Sequence, residues 1–351
     1  MEKRKNTESL PSKVAKRNII DDVKQKKQVY FGESRKIWWR QLKHHLTTTS
    51  GIKKVVIKIG MYMLILGLAF VFLYPFIYMV MTSLKSNSDL NNLAVRWIPS
   101  ELKFENYFIA ADLLNVSKYA KNSFIVTILA SVGHIISCSF IGYGFARYNF
   151  PFKKILFGCV ILAFIVPVQT IIIPLYLTYS RLGWLDTYLP LIVPTFFGFG
   201  LKGALYIFIF RQFYLTLPRD LENAARIDGC GFLKTYWKIV FPLAQSTLVV
   251  ALVLSVVWHW NDFYESSIYI NRAQLGFLPP RINSIVSIVN SPPDSLFEML
   301  ANLGLADGED TLNNAVIMAG ATIICAPILI FFAFAQRKFM QGIERTGITG
   351  E

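Results

Sequence analysis

The chain has 351 residues, of which 54% are hydrophobic and 17% are charged, whereas soluble domains carry about a quarter charged residues. Its formal net charge of +14 is concentrated at the start, because residues 1–58 contain 16 Lys/Arg against 5 Asp/Glu. The apolar residues are gathered into long runs, so the composition argues against a soluble enzyme and indicates a protein embedded in a membrane.

Residues 1–54 are predicted to form a basic cytoplasmic N-terminal extension. Lys and Arg next to a first apolar run are typical of a segment that faces the anionic lipid of the inner leaflet. Within it, Ile37, Trp38 and Trp39 followed by Arg40 and Lys43 fit an amphipathic helix lying on that leaflet. A disordered tail fits equally well. Nucleic-acid binding is not expected, since no recognition module accompanies the charge.

Six apolar runs are long enough to cross the hydrocarbon as helices, which takes roughly 20 residues. The fold class is therefore an all-α membrane protein. The predicted spanning helices are about 59–81, 122–146, 155–179, 187–210, 243–261 and 314–336, within a transmembrane domain of residues 55–350.

The orientation of these six helices follows from the positive charges in the connecting loops. The loops at 147–154 and 211–242 and the C-terminal segment are rich in Lys and Arg, whereas the short loop at 180–186 holds Arg181 alone. Positive residues accumulate in short cytoplasmic loops. Both termini are therefore predicted to be cytoplasmic.

The loop between the fourth and fifth runs predicts two short helices with a bend between them. Pro218 suits a helix start, and Asp220 and Glu222 suit the positive end of that helix. Asp228-Gly229 predicts a turn, because Gly adopts positive φ without strain. A second helix should follow, with Pro242 opening the fifth membrane helix. Small Ala residues on one face would let this bent pair enter a groove on another protein.

This loop resembles the Glu-Ala-Ala (EAA) loop of inner-membrane permeases in binding-protein-dependent ABC importers. In that family the loop docks on the ATPase subunit and transmits its closure to the membrane helices. The family's Glu falls on Asn223, with Glu222 one place earlier. By this resemblance the ATPase-coupling residues are Glu222, Asn223, Ala224, Ala225, Asp228, Gly229, Ile239 and Pro242.

The resemblance extends over roughly residues 55–350 and is closest to the smaller permease of maltose-type, carbohydrate-uptake systems. The resembling segments are 142–147, 167–174, 182–187, 260–263, 336–342 and 347–350. It implies a multi-pass protein of the bacterial inner membrane that imports a carbohydrate by alternating access. The implied partners are a second, different permease, an ATPase dimer and an extracytoplasmic substrate-binding protein. ATP and Mg would be bound by the ATPase, so this chain would be no enzyme and carry no cofactor, metal or catalytic residue.

Five residues are candidates for the translocation path. Lys202 is a charge within an apolar run, which makes it a candidate functional residue or a buried residue with a partner. Trp258, Trp260, Asn261 and Asp262 suit sugar stacking and hydroxyl binding, but an interfacial aromatic belt or helix packing fits them as well. His134 is expected to be a packed, hydrogen-bonded histidine. Gly198, Gly200 and Gly203 match a nucleotide-binding spacing, but within a membrane helix close packing is expected.

Two alternative functions remain open from the sequence. A permease for a non-sugar solute would share the EAA loop. A secondary transporter would also have many helices, but it usually has buried ionisable pairs and internal repeats, neither of which is evident here. No phosphate-binding loop motif occurs, so ATP hydrolysis is expected in a partner. The four cysteines have no paired spacing, so neither a disulfide framework nor a zinc site is indicated.

Overall fold

The computed structural model describes residues 49–92, 97–293 and 312–347. These residues are helical or irregular and contain no strand. Most of the predicted N-terminal extension, including Trp38 and Trp39, lies outside them, as do residues 93–96, 294–311 and 348–351. The chain divides into two compact units, Met1–Phe76 and Ile77–Glu351.

Helix α1 (Thr49–Ser83) contains the first predicted span. It is apolar on all sides, and its side chains from residue 56 to residue 74 are almost all exposed within this chain, as Leu66 is at 68%. A helix that is hydrophobic all round needs an apolar surrounding. Lipid supplies such a surrounding, which agrees with the predicted membrane location.

The second predicted span is helix α4 (Val116–Arg147), which forms the centre of the larger unit. It follows two short helices, α2 (Asn87–Asn91) and α3 (Glu105–Leu113). Small residues allow close approach of its neighbours. A Cβ on Gly142 would lie 2.8 Å from the Cβ of Phe210 and 3.0 Å from the Arg211 backbone N. The residue type at position 142 therefore sets how closely two helices meet.

The third predicted span is not one straight helix. It consists of α5 (Lys153–Ile165) and α6 (Val168–Arg181), which are bent by 102° at the break. The cause is Pro167, because the residue before a proline is driven out of the helical region. Val166 accordingly has the extended values φ −66° and ψ 122°.

The continuous helix predicted over 187–210 is wrong. The structure has a short helix α7 (Leu189–Ile192), a 3₁₀ turn (Val193–Phe197) and helix α8 (Gly203–Thr216). Gly198, Gly200 and Lys202 in between have φ values of 73°, 115° and 61°. Positive φ ends a right-handed helix, so the glycines of the apparent nucleotide motif serve as a chain break. The expected close packing between helices is seen at Gly203, because a Cβ there would lie 3.3 Å from Nε2 of His134 in α4 as well as colliding with the Gly198 carbonyl oxygen.

The loop before the fifth span is helical, as predicted. Its elements are α9 (Asp220–Ile227), α10 (Phe232–Thr235), a π-helical turn (Tyr236–Val240) and α11 (Phe241–Leu243). The fifth span proper is α12 (Gln245–Trp260), at 78° to the helical stretch Phe232–Leu243. Pro242 therefore lies in the last turn before the bend and does not open the membrane helix as expected.

Four short elements connect the fifth and sixth predicted spans, and the predicted orientation places them on the outer side of the membrane. They are α13 (Tyr264–Tyr269), the 3₁₀ turns Ala273–Leu275 and Pro279–Arg281, and α14 (Ile282–Asn290). The sixth predicted span begins at the expected residue but extends well beyond residue 336, as α15 (Asn314–Gly347). Three described helices are long and apolar enough to cross a membrane, and two bent pairs raise that number to five.

Candidate functional site

A buried ion pair joins the loop at 219–242 to helix α4. The Nε of Arg147, the last residue of α4, lies 2.7 Å from Oε1 of Glu222 in α9, and these side chains are 5% and 8% exposed. Arg147 also donates a hydrogen bond of 2.6 Å to the backbone carbonyl of Leu217. Tyr143, one helical turn earlier, donates to Oε2 of Glu222 at 3.3 Å. Helix α9 is thereby fastened to α4 by charge and by hydrogen bonds.

An aromatic cluster surrounds this ion pair. Tyr143 stacks on Phe232 with ring centroids 5.8 Å apart, and its ring also contacts Tyr214 and Tyr236. The Ser139 hydroxyl hydrogen-bonds to Tyr214 at 2.6 Å and to Tyr236 at 2.9 Å. These side chains come from α4, α8 and the segment after the Asp228-Gly229 turn. The loop is therefore packed into the helix bundle at its base and is not a free tether.

The predicted Asp228-Gly229 turn is confirmed. Gly229 has φ 75°, and its neighbours close the end of α9 with hydrogen bonds from the Asp228 N–H to Ala224 O (3.0 Å) and from the Cys230 N–H to Ala225 O (2.9 Å). A left-handed residue with these bonds is the usual way to end a helix. The turn sets the angle between α9 and α10.

The surface of this loop that faces away from the helix bundle carries exposed apolar side chains. Ile227 is 87% exposed, Leu233 57%, and Trp237 44%. Asn223, Ala224 and Asp228 are also exposed, Ile239 is half-buried and Pro242 is exposed, whereas Ala225 and Glu222 are buried. The expectation of two alanines on one face is wrong, because consecutive helical residues point about 100° apart. Exposed apolar side chains on a projecting loop are suited to contact with another protein.

Lys202 lies in the break of the fourth predicted span, beside aromatic rings. Its Nζ is 4.7 Å from the ring centroid of Trp258 and 6.0 Å from that of Phe164. Both rings are 44% exposed. Among the described residues no carboxylate lies within ion-pair distance of Lys202. The cation is therefore stabilised by ring faces, not by a buried counter-ion.

Three other path candidates, Trp260, Asn261 and Asp262, are hydrogen-bonded within the chain. Trp260 is 2% exposed, and its indole N–H donates to the carbonyl of Ile324 at 3.1 Å. Asn261 donates to Val257 O at 2.9 Å. Asp262 accepts from the backbone N–H groups of Glu265 and Ser266 at 3.1 and 2.9 Å, which caps α13. These contacts fit the packing alternative for Trp260 and Asp262.

Glu265 lies on α13, beyond the end of the fifth predicted span, and is 8% exposed. Burial, followed by the nearby negative charge of Asp262, raises the pKa of its carboxyl to about 8. Burial also raises the pKa of Asp262, although the hydrogen bonds that it accepts oppose the shift. Two adjacent buried carboxyls favour the protonated form of one of them.

His134 is buried and hydrogen-bonded, as predicted, and its partner is a second histidine. Nε2 of His259 lies 3.1 Å from Nδ1 of His134, and the His134 ring packs edge-on against Tyr206. The roles of Arg147, Tyr143 and His259 were missed from the sequence. For Arg147 a signal existed, since a charge in the last turn of an apolar helix requires either water or a partner.

The described fold is that of an ABC importer permease. It superimposes with a TM-score of 0.67 on a chain of a crystal structure of a bacterial ABC transporter involved in the import of the acidic polysaccharide alginate. The match has 23% sequence identity and covers 82% of this chain and 98% of that chain. At this identity the likeness establishes the fold alone.

The sequence establishes the family. Residues 138–345, more than half of the chain, match the profile of the binding-protein-dependent transport system inner membrane component, and the chain belongs to this family. It is 26% identical over 298 residues to the arabinooligosaccharides transport system permease protein AraQ of Bacillus subtilis, covering 84% of this chain and 97% of that protein. It is 29% identical over 278 residues to the probable starch degradation products transport system permease protein AmyC of Thermoanaerobacterium thermosulfurigenes, covering 79% and 91%.

Proposed function

We propose that this chain is a six-span permease subunit of an ATP-driven carbohydrate importer, with both termini in the cytoplasm. Residues 1–54 form its cytoplasmic extension and 55–350 its transport domain. The six spans are the three long helices α1, α4 and α15, the two bent pairs and the broken fourth run. The positive charges of the short loops support this orientation.

The observation that carries the proposal is the loop at 219–242. It has a buried base, where Glu222 is paired to Arg147 at 2.7 Å, and an exposed apolar tip, where Ile227 is 87% exposed. A rigid base with an apolar tip is suited to transmit movement between a partner and the membrane helices. The coupling surface consists of Asn223, Ala224, Asp228 and Gly229, while Glu222 and Ala225 hold the loop to the core. Ile239 and Pro242 lie where the loop joins the membrane helix.

The partners required are those of the family's transport cycle. An ATPase dimer binds the cytoplasmic tips, a second permease completes the path, and an extracytoplasmic protein delivers the substrate. ATP and Mg are bound by the ATPase. When the ATPase pair closes, the Arg147–Glu222 link makes α4 move with α9, and the cavity opens outward.

The proposed cargo is a carbohydrate, and specifically an oligosaccharide. The related permeases named above serve arabinooligosaccharides, starch degradation products and alginate in their own systems. An exposed Trp258 beside the break in the fourth run offers an aromatic surface on which a sugar ring can stack. Lys202 lies at the same place and completes the candidate path.

The test is ATPase activity of the whole complex in nanodiscs, with its binding protein and a panel of oligosaccharides. Gly229→Val is compared with Gly231→Val. Gly229 has φ 75°, which a β-branched residue does not tolerate, whereas Gly231 has φ −70° and open space around a Cβ. We expect stimulation by one sugar class, its loss in Gly229→Val and its retention in Gly231→Val.

Two outcomes would contradict the proposal. Stimulation by a non-sugar solute alone would establish the non-sugar permease instead. Equal coupling in the two glycine variants would exclude the loop at 219–242 as the coupling element, and ion-driven uptake without ATP would reopen the secondary transporter.

A further inference from the structure

The break in the fourth run places a cation in an unusual setting. Lys202 has φ 61°, in a segment where Gly198 and Gly200 also have positive φ. Irregular backbone at membrane depth occurs where it is buried in protein or lines a water-filled cavity. In transporters such breaks often lie at the substrate site.

A second break lies close by. Phe164, whose ring centroid is 6.0 Å from the Lys202 Nζ, is the second-last residue of α5, just before the 102° bend at Val166-Pro167. Trp258 lies two residues before the end of α12. Two interrupted spans and the end of a third therefore meet around one ammonium group.

The charge of Lys202 contrasts with that of Arg147. Arg147 is 5% exposed and paired with a carboxylate of its own chain. Lys202 is half-buried, and no described residue offers it a carboxylate within ion-pair distance. A half-buried ammonium group in an apolar run is expensive unless water or an anion compensates it. The cation is available to a ligand.

We infer that Lys202 and Trp258 form a subsite for an anionic sugar, with the indole stacking on the ring and the ammonium group binding a carboxylate. This rests on the proposed carbohydrate function and narrows it to acidic oligosaccharides. A carboxylate forms a charge-assisted hydrogen bond with the ammonium group. A neutral sugar would offer the lysine charge no counter-ion, and an ammonium group removed from water without one is costly. The site therefore selects for acidic cargo.

The experiment measures equilibrium binding of labelled tetragalacturonate and of neutral maltotetraose. It uses the complete complex in nanodiscs, held with a non-hydrolysable ATP analogue and without the binding protein. The variants are Lys202→Gln, Lys202→Arg and Trp258→Ala. Lys121→Gln is the matched control, since it removes an exposed charge at the outer part of α4.

We expect wild type to bind tetragalacturonate and Lys202→Gln to bind it about tenfold or more weakly, as for loss of a charge-assisted hydrogen bond. Lys202→Arg should stay within about threefold of wild type, since it keeps the charge. Trp258→Ala should weaken binding, and Lys121→Gln should leave it unchanged. High salt should weaken binding to wild type and not to Lys202→Gln.

The outcomes separate this inference from the proposed function. Binding of maltotetraose and not tetragalacturonate, unaffected by Lys202→Gln, overturns the acidic-sugar subsite but leaves a carbohydrate permease. Equal binding of tetragalacturonate by wild type and Lys202→Gln overturns the role of Lys202 and identifies it as an interfacial anchor. Absence of binding and of ATPase stimulation for every sugar in the panel overturns both.

Discussion

Two charged sites of this molecule differ in how their charges are compensated. Where the loop at 219–242 meets α4, Arg147 and Glu222 neutralise each other inside the chain, at 2.7 Å, and the exposed surface of the loop is apolar. In the break of the fourth run, Lys202 has aromatic neighbours and no acidic partner among the described residues. A charge that is paired within the chain stabilises architecture. A charge left unpaired beside a chain break is available for binding.

The sharpest way to break this contrast is Glu222→Ala. It leaves the guanidinium of Arg147 buried without its counter-ion, which costs about 3–5 kcal/mol for a buried pair. We expect a lower melting temperature of the purified complex and loss of substrate-stimulated ATPase activity.

Asn223→Ala is the matched control, because the neighbouring side chain is exposed and its loss should leave the melting temperature unchanged. The double variant Arg147→Met with Glu222→Leu should recover most of the stability, since an apolar pair needs no counter-ion. A Glu222→Ala complex as stable as wild type would show that the ion pair does not hold the loop.

Gly203→Ala tests the chain break at residues 198–202. The new Cβ would collide with the Gly198 carbonyl oxygen and would lie 3.3 Å from His134 Nε2. Overpacking of this kind costs about 1–3 kcal/mol, so thermal unfolding should occur at lower temperature. Gly144→Ala, with open space around its Cβ, should behave as wild type. Equal melting of the two variants would mean that the break tolerates rearrangement.

Ile227→Asp tests the exposed tip of the loop. The side chain is 87% exposed, so the chain should fold normally, but docking of the ATPase should weaken by about 1–2 kcal/mol, as for an apolar interface anchor. Co-purification of the ATPase with the permease measures this. Ile98→Asp is the control, at a residue that is 78% exposed in the loop between α2 and α3. Equal ATPase recovery from both variants would exclude Ile227 from the interface.

A smaller effect is expected from Glu265→Gln. The folded carboxyl has a pKa of about 8, against 4.5 for an ordinary glutamate, so between these values the folded state holds a proton that the unfolded state has lost. Stability should therefore fall as pH rises from about 4.5 to 8. The melting temperature of wild type should therefore fall over this pH range, and Glu265→Gln should reduce that fall by a few degrees. Glu101→Gln, at an exposed residue, is the control and should leave the fall unchanged. A slope that persists in Glu265→Gln would assign it to another group.

Much of the fold could be read from hydrophobic runs and turn residues. The apolar runs located the helices that became α1, α4, α12 and α15, because a 20-residue apolar stretch has few alternatives to a membrane helix. Asp228-Gly229 located the turn, since few residues adopt positive φ. The continuous helix predicted from the fourth run was wrong, because hydropathy measures how apolar a stretch is and not whether its backbone is continuously helical.

The candidate site was only half predictable, and for a definite reason. The loop at 219–242 could be found because its local pattern is dense in turn and cap residues. Its fastening to α4 could not, since Arg147 and Glu222 are 75 residues apart and nothing local to either indicates the other. The same holds for His134 in α4 and His259 in α12, because Nδ1 of the first and Nε2 of the second lie 3.1 Å apart although the residues are distant in sequence.

The sequence by itself determined that this protein is embedded in a membrane and that its short loops carry the positive charges. It also determined that a bent helical loop precedes the fifth apolar run. These are local or compositional properties, set by hydrophobic run length, charge and the φ preference of glycine. The tertiary structure alone decided which of Glu222 and Asn223 faces outward, which charge is paired, and where Lys202 stands relative to Trp258. Those outcomes depend on which helices meet, and pairing between distant residues is decided by packing.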